Sequence, residues 1–324
     1  MKFITSVLAA AALTAVAIAP AAAQSTYPDK PIRIVVPYSA GGVVDTIARV
    51  IGDKLGTRLG QPVIVENKSG AGGAIGIDFV ARAAPDGYTL LLASPALAVL
   101  PSLQKSVRWN GVRDFRAVGG IGVVPNIVVV HPSVPAKTME EFVQLARKTN
   151  PPLTYATAGM GTSNHLSGEL LVQEAKIKLT HVPYKGQTDA LNDLLSGRVT
   201  MMPLTSQLAI PQVKEGKLRA LAVTTAKRSS ASPELPTVAE SAKLPKYEVG
   251  TWFGLVGPKK MPQAVVDTLS KEVAEILTLP EVKTKLDGIG MDLDVQSAAA
   301  FDAYVAAETS KWTRVIKQAG IQPN

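Results

Sequence analysis

The chain has 324 residues, a formal net charge of +8, 5% aromatic residues and no cysteine. That length is enough for two ordinary domains, each with a core of its own. The missing cysteine excludes disulfides, a lipid-carrying cysteine and thiolate chemistry, and basic residues scattered as singles and pairs among few aromatics lack the footprint of a nucleic-acid binder.

The chain opens with Lys2, an apolar and alanine-rich run over residues 3–19, then Pro20 and AAAQ. A charged start, an apolar middle and an Ala-x-Ala site predict a signal peptide over residues 1–23, cleaved after Ala23. No later stretch has 18 consecutive apolar residues, so the expectation is an exported, water-soluble protein.

The next string, VPYSAGGVVDTIARV (36–50), carries the first functional signal. IRIVV (32–36) is apolar and β-branched and predicts a buried strand. Ser39, Gly41 and Gly42 allow a sharp turn and close approach to a ligand. Val44, Ile47, Ala48, Ile51 and Leu55 then recur at helical spacing, with Asp45 in the first turn. A strand, a glycine loop and a helix start form an anion-ready unit, because the first-turn N–H groups have no partner within the helix. The loop is not a nucleotide cradle. Gly-x-x-x-x-Gly-Lys-Ser/Thr is absent, and GAGGAIG (70–76) has the wrong spacing for a dinucleotide fingerprint.

Further strands are predicted at PVIVE, TLLLA, NIVVV, LTYAT, LTHVP, VTMMP and RALAVT, and helices over 75–83, 138–148, 163–175, 187–195, 263–278, 280–288 and 297–319. This alternation predicts an α/β fold with mainly parallel sheets. The anion-ready unit recurs in LTYATAGMGTSNHLSGELLVQEA (153–175), where Gly159 and Gly161 form the loop and Thr162 or Ser163 caps the helix. Two such units about 120 residues apart suggest two lobes closing on one ligand. AVGGIGVVPNIVVVHPSVP (117–135) reads as a glycine-rich hinge crossing, and the return crossing falls within 220–237, where small and turn residues cluster.

The strings YPDKPIRIVVPYSAGGVVDTIAR, VENKSGAGGAIGIDFVARAAPDGYTLLLAS, YATAGMGTSNHLSGELL, HVPYKG and VGTWFGLVGP follow one another along the whole mature chain. Together they resemble the Bug-type receptors, the solute-binding proteins of tripartite tricarboxylate transporters. The resemblance implies a type II periplasmic-binding-protein (Venus-flytrap) fold with a hinge and an interlobe ligand cleft. Lobe 1 is expected over 24–125 plus 226–324 and lobe 2 over 126–225. It implies a small carboxylate or amino-acid ligand, a periplasmic location, and delivery to a membrane permease or, in some members, to a sensor. It places the ligand against Tyr38, Ser39, Ala40, Gly41 and Gly42 on one side. On the other side it places Ala158, Gly159, Gly161, Thr162, Ser163 and His165, with Ser94 as an additional donor. No metal, cofactor or nucleic acid is implied, and a monomer is expected.

One departure bears on the ligand. Many relatives carry acids in the strand after LLSGR, where this chain has VTMMPL, with Thr200 and Leu204 in place of the acids. Loss of an acid disfavours an ammonium group, so a mono- or dicarboxylate without one, aliphatic or aromatic, is expected. Met201 and Met202 are either an adaptable apolar wall or simply core. Catalytic signals are poor: the three histidines are not paired at i, i+4, and no Gly-x-Ser-x-Gly elbow occurs. SLQK (102–105) fits Ser-x-x-Lys without its companion motifs. No enzyme is therefore expected. The competing readings are a secreted hydrolase acting on a carboxylic ester and a ligand-sensing partner of a membrane sensor.

Overall fold

The computed structural model describes residues 27–184 and 186–323, so the expected signal peptide lies outside the described residues. In chain order the elements begin with β1 (Ile32–Val36), α1 (Val43–Leu59), β2 (Val63–Asn67), α2 (Ala74–Ala81), β3 (Thr89–Ala93) and α3 (Ala96–Leu103). Then follow β4 (Phe115–Val130), α4 (Met139–Lys148), β5 (Thr154–Thr157), α5 (Ser163–Ala175), β6 (Thr180–Pro183) and α6 (Gln187–Leu195). Next come β7 (Met201–Thr205), α7 (Ser206–Lys214), β8 (Arg219–Val223), α8 (Val238–Ser241) and β9 (Gly250–Pro258). The chain closes with α9 (Gln263–Ile276), α10 (Pro280–Asp287), β10 (Asp292–Gln296) and α11 (Ala298–Gln318). No helix among the described residues is long and apolar enough to cross a membrane.

Two α/β halves share one long strand. In the first half β2, β1 and β3 pair in parallel, and β3 then pairs antiparallel with β9. In the second half β5 pairs in parallel with β6 and β7. β4 runs through both. Its residues 115–125 pair with β9, ending at Pro125↔Gly250, whereas residues 126–130 pair with β7, starting at Asn126↔Thr205, and with β8. Parallel pairing is thus confined to β2-β1-β3 and to β5 with its two neighbours, and the sheets are not mainly parallel as expected: β4 pairs antiparallel with β7, β8, β9 and β10, and β3 with β9. The middle is antiparallel because β4 and β9 cross it in opposite directions.

The glycine run in β4 has a different cause from the expected one. It lies inside one strand, at the register shifts between Ala117 and Gly119 and between Gly120 and Gly122. A Cβ on Gly122 would lie 2.5 Å from the Asp292 carbonyl oxygen, so glycine is needed because β10 lies directly against the strand. Residues 226–249, expected in lobe 1, follow Thr224 onto the second half. Thr224 donates its N–H to Asn126 O (2.9 Å), Val249 donates to Thr224 O (2.8 Å), and Tyr247 OH donates to Ser167 O (3.0 Å). α8 packs on α4. This segment therefore lies largely against the second half, and the chain re-enters the first half along β9.

Three apolar cores fill the layers. One lies under α1, α9 and α10; one lies between β7, β8, α6 and α7; the largest runs through both halves and includes Tyr155, Trp252, Phe301 and Trp312. α11 packs on β4 and α3 and also reaches α5, where Gln173 Nε2 donates to Val315 O (2.8 Å). Its buried Glu308 accepts from Trp252 Nε1 (3.1 Å) and Trp312 Nε1 (2.8 Å) and pairs with Lys311. Glu308→Ala leaves two buried indole N–H groups unpaired. It should cost about 2–4 kcal/mol in urea unfolding, and Glu308→Gln, which keeps an acceptor oxygen, should cost visibly less.

Candidate functional site

The loop after β1 is shaped by one carboxylate. Gly42 is the N-cap of α1 with an extended backbone and no side-chain capping bond, so the first-turn N–H groups of α1 are left unspent. The buried Asp45 turns back and accepts from Gly41 N (2.9 Å), from Arg49 Nε (2.9 Å) and Nη2 (3.0 Å), and from Asn67 Nδ2 (2.9 Å). Asn67 Nδ2 also donates to Tyr38 O (3.1 Å), which ties the loop to β2. The Arg49 hydrogen bonds hold the Asp45 carboxyl down at about 2 against the opposing effect of burial. Tyr38 OH and Ser94 Oγ share a hydrogen bond (3.0 Å), and burial pushes the Tyr38 phenol up.

The second loop is held by hydrogen bonds with Thr157, Thr162 and His165. The Thr162 hydroxyl accepts from His165 N (3.4 Å) and donates to Gly159 O (2.7 Å), so it is committed to capping α5. Gly161 N donates to His165 Nδ1 (3.1 Å), and Gly159 N donates to Thr157 Oγ1 (3.1 Å), which bonds His181 Nε2 (2.7 Å). Gly161 has φ +78°, a conformation that favours glycine, and its backbone approaches Leu103 of α3 in the other half so closely that a Cβ would lie 2.6 Å from Leu103 Cδ1 and push that side chain aside.

Between the loops lies a cavity of about 670 Å³. Its polar lining comes mostly from helix starts: Gly42–Val44 for α1, residues 94–96 for α3, 162–164 for α5, Gln187 for α6 and Thr205 just before α7. Its apolar lining includes Leu100, Leu103, Val124, Met160 and Phe253. Among the described residues no Asp, Glu, Lys or Arg lines it. Such a chamber suits an anion on unspent N–H groups with a carbon body against apolar walls.

Of the residues expected from sequence, the structure gathers Tyr38, Gly42, Ser94, Ala158, Gly161, Thr162 and Ser163 around the cavity. It leaves out Ser39, Ala40 and Gly41, which are exposed on the outer side of the loop. Gly159 and His165 sit behind the second loop, with His165 only 2% exposed and its ring 4.6 Å from that of His181. Leu204 is buried in the core of the second half, Met201 and Met202 are core residues, and Thr200 bonds Thr154 (3.2 Å). None of these four lines the cavity, so VTMMPL does not set ligand charge through Thr200 or Leu204. Sequence reasoning missed Asn164, Gln187, Thr205, Thr251 and Phe253. Gln187 was findable as the start of a predicted helix, whereas Thr205 lies two residues past the predicted strand VTMMP, before a helix that was not expected. Thr251 and Phe253 sit in a string whose strand was not recognised.

Residues 47–321 match the family model described as the tripartite tricarboxylate transporter family receptor. The chain belongs to that family. The receptor is 37% identical over 300 residues, 92% of it and 89% of the relative, to the UPF0065 protein in the tcbD-tcbE intergenic region of Pseudomonas sp. (strain P51). It is 35% identical to the solved periplasmic binding protein BugD, with 92% of this chain and 100% of that one covered at a TM-score of 0.74. It is 34% identical to R. palustris Rpa4515 with adipate, with the same coverage and a TM-score of 0.77. The receptor thus has the two-lobed fold of the periplasmic binding proteins.

The paired histidines give the receptor a pH dependence. Burial depresses His165 to about 4, and burial followed by the charge of His165 depresses His181 to about 4, while Glu169 opposes this. The fold therefore favours the neutral rings, whereas unfolded histidines take up protons near pH 6.5. Their stabilising contribution is complete above about pH 6.5 and is lost as pH falls towards 4. Urea unfolding at pH 7 and pH 5 should show the loss, and His165→Gln combined with His181→Gln should reduce the difference between the two pH values.

Proposed function

We propose that the receptor captures a small mono- or dicarboxylate without an ammonium group in its interlobe cavity and presents it to the membrane permease subunits of a tripartite tricarboxylate transporter. The observation that carries this reading is the cavity lining: several helix starts and, among the described residues, no charged side chain. Each helix end favours a carboxylate by about 0.3–2 kcal/mol through its dipole. An ammonium would have no acid to pair with, so its desolvation would count against binding. The adipate in the structure of Rpa4515 is consistent with a diacid of this kind.

The chain is proposed to work in the periplasm as a monomer, after loss of residues 1–23, and to bind without turnover. Its lobes are proposed as residues 24–125 with 250–324, and 126–249. This division keeps the expected first crossing and moves the return crossing to the start of β9, where the contacts of α8 and Tyr247 support it.

Calorimetry on the mature chain at one pH and ionic strength tests the reading. Adipate, succinate or a benzoate-type acid should bind saturably and at least tenfold more tightly than aspartate and glutamate. The reading fails if either amino acid binds tenfold more tightly than every simple acid, or if a carboxylic ester is turned over.

A further inference from the structure

The floor of the cavity holds hydrogen-bonding capacity that the protein does not use. Val124 on β4 and Thr251 on β9 are cross-strand partners, and both line the cavity, as does Phe253 two residues further along β9. Directly opposed residues share a face of the sheet, and so do residues two apart. Thr251 Oγ1 is buried and finds no hydrogen-bond partner among the described residues. Asn126, two residues beyond Val124, is fully buried, and its Nδ2 also finds none; its Oδ1 accepts from Asn164 Nδ2 at 3.5 Å. Among the described residues four buried side-chain polar atoms lack a partner, the others being Trp109 Nε1 and Ser167 Oγ, and the two on these neighbouring strands ask for a reason. A valine would fill the place of Thr251 without an unpaired hydroxyl.

We infer that Thr251 is a specificity-determining residue whose hydroxyl donates to an oxygen at the far end of the ligand, so that a diacid is preferred to the monoacid of equal chain length. This rests on the carboxylate reading of the cavity. One carboxylate is held by the N–H groups of the helix starts. The second, at the other end of the carbon chain, meets the β4–β9 floor. Thr251 Oγ1 is buried in the cavity wall, and a rotation of about 120° about χ1 carries the hydroxyl to the neighbouring staggered position and brings it forward. The Phe253 ring beside it packs against the methylene chain. An acceptor oxygen fits this floor because the spare atoms are a hydroxyl and an amide NH₂, and the amide can only donate.

The test uses the mature chain with two matched pairs, adipate against hexanoate and succinate against butyrate, in calorimetry. The wild type should prefer the diacid in at least one pair. Thr251→Val should weaken that diacid about tenfold or more, the loss expected for one hydrogen bond to a charged acceptor, and leave the monoacid within about twofold. Thr251→Ser should stay close to wild type. Thr251→Val should melt at the same temperature as wild type or higher, since it removes an unpaired buried hydroxyl, which separates lost recognition from lost folding. Equal diacid affinity in wild type and Thr251→Val overturns the inference while the carboxylate reading stands. A wild type that binds all four acids but prefers neither diacid overturns it as well. Binding of none of the four by the wild type overturns this inference, and if a benzoate-type acid fails to bind as well the carboxylate reading falls with it.

Discussion

An α-helix begins with N–H groups that its own backbone cannot satisfy, and this receptor turns several such beginnings towards one space. At α1 no side chain caps the helix, and at α5 Thr162 takes only the His165 N–H, whereas at α3 Pro95 has no N–H and Leu97 N already donates to Ser94 O. Asp45 could have capped α1 by binding its first-turn N–H groups. Instead it binds Gly41, Arg49 and Asn67, and so fixes the loop without covering the helix end. On the opposite side Thr162 and His165 bind Gly159 O and Gly161 N, which shapes the second loop from behind. The side chains nearest the ligand space are therefore largely neutral, and the charges that organise the loops stand one layer back.

That arrangement depends on two halves that can be held at a set distance. β4 provides the common axis, because it changes partners between Pro125 and Asn126 while remaining one strand. α11 adds a second link, packed on β4 and bonded through Val315 to Gln173 of α5. Leu103 of α3 fits against the glycine backbone at Gly161, so contact across the cleft is made where the second loop has no side chain.

The sequence made the two loops legible because each combines a β-branched strand, glycines and a periodic helix within about 20 residues. Gly42, Gly161 and Ser163 could be placed from that pattern, and Tyr38 from the family resemblance. It could not show which side of a loop faces the ligand, and this is why Ser39, Ala40 and Gly41 stand outside the cavity and His165 stands behind it. Long-range pairing was harder to read. GGIG in β4 looked like a hinge because glycine usually marks a turn, but the glycines answer to β10, more than 160 residues away in the chain. GTWFGLVGP carries too many glycines to announce a strand, yet as β9 it supplies Thr251 and Phe253 to the cavity floor. Leu204 misled for a related reason. The alternation along β7 sends it into the core and leaves Thr205, at the strand end, beside the ligand space.

The central claim is that backbone N–H groups at helix starts hold the ligand carboxylate. Amide ¹⁵N–¹H spectra of the labelled mature chain, recorded while adipate is added, address it directly. The account predicts that the largest downfield shifts fall on Val43, Val44, Ser163 and Asn164, with the Lys and Arg side-chain signals unmoved. Saturable binding that leaves those four amides in place and instead shifts a lysine or arginine side chain would contradict it.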